Sequence, residues 1–232
     1  MKNRIVYEPQ VQIQLNEYYE NKGVVLGPYT SYIWRNDPKH LLFLLSRYKF
    51  CSKILAGKNN VLEVGCGDSF GTAIVLQTVK KVHAIDIEPL IIEDNIKRTE
   101  YGENCSYQVL DMTSNSPDSR FDGAFALDVI EHIPKSSEDR FMSNIAKSLT
   151  TGAICIIGTP NITACQYASS GSVASHINLK SGESLKQLMG SHFENVFIFS
   201  MNDEVAHTGF YPMAHYLLGV GTNLKKAGSP KK

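Results

Sequence analysis

Short apolar runs alternate with longer amphipathic stretches through residues 57–222 of this chain. Runs rich in β-branched and aromatic residues favour buried strands, and the amphipathic stretches between them favour helices. This alternation is typical of βαβ units, in which a mainly parallel sheet carries helices on both faces. The predicted strands are 61–64, 82–86, 106–110, 121–128, 151–158, 192–199 and 214–220, and the predicted helices include 89–98, 137–149 and 183–189.

Residues 1–56 carry a helical pattern instead, with apolar side chains at helical spacing on both sides of an aromatic-rich segment, 27–35. We expect that segment to be a loop, which either packs the helices onto the sheet or closes over a ligand as a lid. The predicted organisation is therefore a helical cap over 1–56, an α/β core over 57–222 and a disordered basic tail over 223–232. Residues 162–180 and 201–212 are polar and predicted to be irregular.

Composition narrows the possible partners. Lys and Arg total 23 against 23 for Asp and Glu, so no basic excess indicates a nucleic-acid surface. No apolar run reaches membrane-spanning length and the start lacks a secretory apolar segment. Five cysteines without C-x-x-C pairs suggest reduced thiols. We therefore expect a cytoplasmic protein without nucleic-acid or membrane partners. The oligomeric state is not predicted.

A glycine turn follows the first predicted strand, where Gly65, Gly67 and Gly71 read G-x-G-x-x-x-G. Glycines between a strand and a helix let a ligand approach the backbone, beside a helix N-terminus that offers free N–H groups. The spacing differs from the G-x-G-x-x-G of dinucleotide sites, which disfavours a nicotinamide dehydrogenase. Glu63 adds an acid that suits a cationic ligand better than a diphosphate. Asp86 ends the second strand 19 residues beyond Gly67, where an acid can accept hydrogen bonds from ribose hydroxyls.

These motifs resemble those of the class I S-adenosylmethionine-dependent methyltransferases. E-x-G-x-G at 63–67 resembles their first motif. Residues 121–134, F-D-x-x-x-x-x-D-V-I-E-H-I-P, closely resemble the fourth motif of small-molecule members such as the ubiquinone-biosynthesis type. T-P-N at 159–161 resembles small-molecule and sugar-modifying members. The similarity extends over about 55–200.

The resemblance implies a Rossmann-like, seven-stranded, mostly parallel sheet with an antiparallel last strand. It also implies S-adenosylmethionine as cofactor and S-adenosylhomocysteine as product. Asp111 would face the adenine amino group, with Met112 packed on the ring, and Asp128 would line the methionine end. The full set of expected cofactor-binding residues is Glu63, Gly65, Cys66, Gly67, Asp86, Ile87, Asp111, Met112 and Asp128.

Methyl transfer from a sulfonium is an in-line displacement, so the protein mainly aligns the acceptor and excludes water. An oxygen or nitrogen acceptor must also lose a proton, and histidine is a suitable base near neutral pH. The candidate bases are His176 and His132, although His132 has a structural alternative as a residue that holds its loop. The candidate substrate contacts are Tyr32, Trp34, His207 and His215.

We expect no metal site, because D-E-x-x-H at 203–207 does not match a known zinc spacing. The favoured function is methyl transfer to oxygen or nitrogen of a small polar metabolite or a sugar-linked intermediate. One alternative is an enzyme acting on nucleic acid or protein, which the missing N-P-P-Y signature, the missing Pro-Cys nucleophile and the neutral charge disfavour. The other is a non-catalytic protein that keeps the cofactor site and serves as a scaffold.

Overall fold

A computed structural model describes residues 7–225 of the chain, and its centre is an eight-stranded sheet in the order β3-β2-β1-β4-β5-β8-β6-β7. The strands are β1 Val61–Val64, β2 Val82–Asp86, β3 Cys105–Val109, β4 Phe121–Leu127, β5 Leu149–Pro160, β6 Phe193–Asn202, β7 Val205–His207 and β8 Tyr216–Leu224. Strands β1 to β5 pair in parallel, whereas β8 is antiparallel to both β5 and β6, and β7 is antiparallel to β6.

Eight α-helices in the described part of the chain accompany the sheet. They are α1 Pro9–Asn21, α2 Pro28–Asn36, α3 His40–Ile54, α4 Thr72–Leu76, α5 Pro89–Arg98, α6 Glu138–Ser148, α7 Ser170–Ser175 and α8 Gly182–Gly190. Side chains of α6 and α8 form one apolar core with the sheet, and side chains of α3, α4 and α5 form a second. The central strands β1 and β4 contribute to both cores, which explains why their sequences are apolar almost throughout.

The predicted fold class is confirmed: the sheet is Rossmann-like, mostly parallel, with antiparallel pairing at the C-terminal end. The strand number was wrong by one, because β7 lies within the predicted loop 201–212. Three residues give too short a pattern to identify a strand, and β7 exists because it pairs with the edge of β6. Strand β8 runs to Leu224, beyond the predicted core boundary at 222. The rest of the predicted tail, 226–232, lies outside the described residues.

The aromatic segment 27–35 was wrongly predicted as a loop, since Pro28 begins helix α2. Proline suits the first helical position because its missing N–H has no intrahelical acceptor there. Residues 162–180 are also more regular than predicted, with a 3₁₀ helix at Ile162–Tyr167 followed by α7. No helix within residues 7–225 combines the length and the apolar character that crossing a membrane requires.

Candidate active site

A cavity of about 600 Å³ opens at the carboxyl ends of β1, β2 and β4 and the segment after β3. Strand β1 lies between β2 and β4, so the strand order reverses direction here. In open α/β sheets such a switch point leaves a crevice between the chain segments that leave in opposite directions, and ligands bind there. Helices α2 and α3, which precede the sheet in the sequence, also line the cavity.

The glycine turn forms one wall, with Gly65, Cys66 and Gly67 all lining the cavity. Gly65 and Gly67 have φ values of 72° and 50°, a region that favours glycine. A Cβ on Gly65 would lie 2.3 Å from a methyl carbon of Val129. The turn therefore requires glycine at Gly65 both for its backbone conformation and for the approach of Val129.

Asp86 faces the same cavity from the end of β2, together with its neighbour Ile87. Its Oδ2 accepts a hydrogen bond from the backbone N–H of Gly67 at 2.9 Å, and its Oδ1 accepts one from Glu88 N–H at 3.0 Å. A carboxylate can accept about four hydrogen bonds, so acceptor capacity remains for a ligand. Asp86 thus holds the glycine turn in place and can also bind hydroxyl groups in the cavity.

Glu63 does not line the cavity, in contrast to what the motif implied. It is buried, and its carboxyl oxygens accept hydrogen bonds from Thr72 Oγ1 at 2.7 Å and Tyr48 Oη at 3.0 Å. Burial raises the pKa of Glu63 to about 8, although these two hydrogen bonds act in the opposite direction. Glu63 therefore connects β1 to α3 and α4 behind the glycine turn.

Asp111 and Met112 line the cavity beyond β3. Asp111 accepts hydrogen bonds from the backbone and hydroxyl of Thr113, at 2.8 and 2.7 Å, and from the hydroxyl of Ser114 at 2.7 Å. The hydrogen bonds from Thr113 are the main reason that the pKa of Asp111 lies below its ordinary value. Asp111 therefore presents an ionised acceptor to the cavity, and Met112 presents a buried apolar surface.

Asp128 lines the cavity after β4 with a positive φ of 56°, which is unusual for a residue other than glycine. Its Oδ2 pairs with Arg47 Nη1 at 2.6 Å, and the Arg47 guanidinium lies 3.8 Å from the ring centroid of Tyr216. Arg47 was not identified from the sequence, because α3 also carries Lys49 and Lys53 and no local signal distinguishes Arg47 from them. The ion pair with Arg47 of α3 holds Asp128 in its strained backbone conformation at the cavity wall.

Helix α2 places different aromatic residues at the cavity from those expected. Tyr29, Thr30 and Ile33 line it, whereas Tyr32 and Trp34 do not, and their side chains are 69% and 60% exposed. In a helix, residues three or four apart lie on one face, as Tyr29 and Ile33 do here. Because the segment was predicted to be a loop, this spacing was not used to choose the residues that face the cavity.

The position of α2 depends on Asp68, whose carboxylate accepts hydrogen bonds from Thr30 N–H at 2.7 Å and Thr30 Oγ1 at 2.9 Å. Asp68 lies in the segment after the glycine turn and also lines the cavity. Because Thr30 belongs to the first turn of α2, these bonds satisfy one of its unpaired N–H groups. The N-terminus of α2 is thereby fixed over the glycine turn.

The candidate histidines divide into two groups. His132 lines the cavity, and the His176 ring lies beside it with the ring centroids 5.1 Å apart, although His176 does not itself line the cavity. Burial lowers the pKa of His176, and His132 lowers it further. His207 and His215 do not line the cavity. They instead form local hydrogen bonds with Asn202 Oδ1 and the backbone N–H of Asp203, respectively.

A family described as "Methyltransferase domain" matches residues 34–193. No curated protein sequence matches the chain significantly.

Solved structures share the fold at low sequence identity. The N-methyltransferase NodS from Bradyrhizobium japonicum WM9, in complex with S-adenosylhomocysteine, is 20% identical with a TM-score of 0.59, over 82% of this chain and 91% of that one. The 1,6-didemethyltoxoflavin-N1-methyltransferase from Burkholderia thailandensis, with its acceptor and S-adenosylhomocysteine bound, is 16% identical with a TM-score of 0.60, over 96% and 93%. A TehB-like S-adenosylmethionine-dependent methyltransferase from Corynebacterium glutamicum is 13% identical with a TM-score of 0.58, over 92% and 96%.

Proposed function

Since this chain belongs to the methyltransferase domain family, we propose that it transfers a methyl group from S-adenosylmethionine to oxygen or nitrogen of a small polar acceptor. The observation that carries the proposal is the single cavity wall formed by Gly65, Gly67, Asp86, Asp111 and Asp128 at adjacent strand ends. The family resemblance seen in the sequence is confirmed by the family match.

Three aspartates at successive strand ends, Asp86, Asp111 and Asp128, each bind a different part of the cofactor. Asp86 accepts hydrogen bonds from the ribose hydroxyls while the Gly67 N–H holds its carboxylate in place. Asp111 accepts from the adenine amino group, and the Met112 side chain packs on the ring. Asp128 lies at the methionine end, where Arg47 engages Oδ2 and the other oxygen, Oδ1, can accept a hydrogen bond from the ammonium group. A cofactor held by these residues would supply the sulfonium methyl group, and the rest of the cavity would hold the acceptor.

The acceptor occupies the side of the cavity where His132 and Phe141 lie. Transfer forms a bond between the acceptor atom and the methyl carbon while the methyl–sulfur bond breaks, with its electron pair kept by sulfur. Aligning acceptor and sulfonium supplies much of the acceleration. The acceptor's proton passes to water on the side of the cavity that His132 lines.

Two of the structural neighbours are N-methyltransferases by name, and the Burkholderia enzyme was solved with 1,6-didemethyltoxoflavin bound. That bound molecule supports the choice of a small acceptor. The mostly apolar cavity wall, with polar groups confined to a few positions, favours a metabolite-sized ligand over a polymer.

The test is calorimetric titration with S-adenosylhomocysteine, and with NADH as a ligand control. Wild type should bind only the former, and Asp86→Ala should weaken binding at least tenfold, about 1.4 kcal/mol. Asp122→Ala is the matched control. Asp122 also accepts hydrogen bonds from two backbone N–H groups, those of Asn59 and Asn60, but it lies at the start of β4 and does not line the cavity. It should retain wild-type affinity.

Folded protein that binds no S-adenosylhomocysteine, or that binds NADH instead, would contradict the proposal. Equal weakening in Asp86→Ala and Asp122→Ala would show that Asp86 acts only through folding. Once cofactor binding is established, transfer of a labelled methyl group to a panel of small hydroxyl and amine acceptors identifies the acceptor class. Binding without transfer to any acceptor, small or macromolecular, would favour the non-catalytic alternative.

A further inference from the structure

Three side chains near the acceptor end of the cavity form a group that the proposed transfer leaves unexplained. Glu131, His132 and His176 each place one potential ligand atom within 4.8 Å of the others. We propose that these three residues bind a divalent transition-metal ion such as Zn²⁺. Two imidazole nitrogens and one carboxylate oxygen form a donor set that suits zinc and ferrous iron.

Glu131 supplies the observation that points to a cation. Its side chain is fully buried, and Oε2 accepts a hydrogen bond from Thr159 Oγ1 at 3.0 Å. The other oxygen, Oε1, is buried without a hydrogen-bond partner among the described residues. A buried carboxylate oxygen without a partner is destabilising, and a bound cation removes that penalty.

His132 is oriented in the way that metal-binding histidines usually are. Its Nδ1 lies 3.1 Å from the backbone carbonyl oxygen of Ser175, which can only accept a hydrogen bond. The proton therefore resides on Nδ1, and the lone pair resides on Nε2. A hydrogen bond from one ring nitrogen to a backbone carbonyl fixes the tautomer in which the other nitrogen can ligate a metal.

Backbone hydrogen bonds hold His176 against the same group. Its own N–H donates to Ser172 O at 2.9 Å, at the end of α7. The next two residues, Ile177 and Asn178, both donate to the carbonyl oxygen of Glu131, at 2.9 and 3.0 Å. The segment that carries His176 is therefore tied to the residue that carries the carboxylate, so the donor atoms are brought together by the fold before an ion binds.

Three protein ligands leave at least one coordination position for another molecule, which is the arrangement of catalytic rather than structural sites. His132 also lines the cofactor cavity, so that position lies at its acceptor side. This part of the inference rests on the proposed function. An acceptor hydroxyl bound to the ion gives up its proton to water more easily, and the resulting alkoxide attacks the methyl carbon. His132 and His176 then act as ligands, not as the bases that the sequence suggested.

The sequence led us to expect no metal site, but that expectation was based on D-E-x-x-H at 203–207 and not on these three residues. His176 is far from Glu131 and His132 in sequence, so no spacing rule could have identified the group. Only the docking of the segment after α7 onto Glu131 reveals it.

The experiment uses full-length protein without a polyhistidine tag, stripped of metal with a chelator. Titration with Zn²⁺ by calorimetry, and with Co²⁺ by visible absorption, should show one equivalent bound and cobalt bands typical of four or five ligands. His176→Ala and Glu131→Gln should each weaken binding at least tenfold. His83→Ala is the matched control, because His83 lies on β2, hydrogen-bonded to Ser106 and Gln108. It should bind like wild type.

Absence of stoichiometric binding to wild type, or equal loss in His83→Ala, would overturn the inference. If Glu131→Gln fails to fold, His176→Ala decides the test, because His176 is only partly buried. S-adenosylhomocysteine affinity is measured on the same variants and should stay within twofold of wild type, since the expected cofactor ligands are other residues. Metal binding without cofactor binding would refute the proposed function alone, and cofactor binding without metal binding would refute this inference alone.

Discussion

Replacing the buried Glu63 with glutamine should remove a pH-dependent loss of stability. In the folded protein the pKa of Glu63 is about 8, chiefly because burial disfavours the charged form, against 4.5 for an ordinary glutamate. Between these two values the folded carboxyl group is protonated while the unfolded one is ionised. The stability contributed by Glu63 is therefore fully present below about pH 4.5 and is lost as the pH rises to about 8.

The expected magnitude follows from proton linkage. One proton taken up on folding changes the free energy of unfolding by about 1.4 kcal/mol per pH unit. Between pH 5.5 and 7.5 the wild type should lose about 2.5 kcal/mol through Glu63 alone. Every titrating group other than Glu63 contributes equally to both proteins, so its pH dependence cancels in their difference.

Glu63→Gln keeps the size of the side chain and an oxygen that can accept from Thr72 Oγ1 or Tyr48 Oη. Urea unfolding followed by circular dichroism at pH 5.5 and 7.5 measures both proteins, with the solvent-exposed Glu194→Gln as control. The difference between variant and wild type should shift by about 2–3 kcal/mol in favour of the variant at the higher pH. A difference that is the same at both pH values would show that Glu63 is ionised in the folded state and refute this reasoning.

Gly71→Ala should lower the free energy of unfolding by about 1–3 kcal/mol in urea, because the added Cβ would lie 2.2 Å from the buried Tyr48 ring. Gly190→Ala is the control: the added Cβ meets open space and should change the free energy of unfolding by less than about 1 kcal/mol. Equal effects would show that the Tyr48 ring moves freely. Tyr29→Ala should weaken S-adenosylhomocysteine binding about fivefold, or about 1 kcal/mol, because Tyr29 lines the cavity and Tyr32 does not. Tyr32→Ala should bind normally in the same calorimetric titration, and equal losses would mean that α2 acts only as a unit.

Much of the sheet and the cavity wall was predictable from the sequence because the signals are local. A buried strand followed by Gly65 and Gly67, and a strand ended by Asp86, are each encoded in a few contiguous residues. Parallel strands bring their carboxyl ends to one edge, so these residues were expected to meet without any knowledge of the loops. The structure does place them at one cavity.

Other features depend on contacts between distant segments, which no local pattern encodes. Glu63 faces Tyr48 and Thr72 because of how α3 and α4 dock, although its motif suggested a ligand contact. The pairing of Arg47 with Asp128 likewise depends on α3 lying across the end of β4.

The fold class, the family and the strand ends that form the cavity wall therefore follow from local patterns in the chain. The face of α2 that lines the cavity, and the approach of His176 to Glu131 and His132, depend on the folded structure. Backbone preferences act between neighbours in sequence, whereas side-chain partners are set by the order of the strands and the docking of segments onto them.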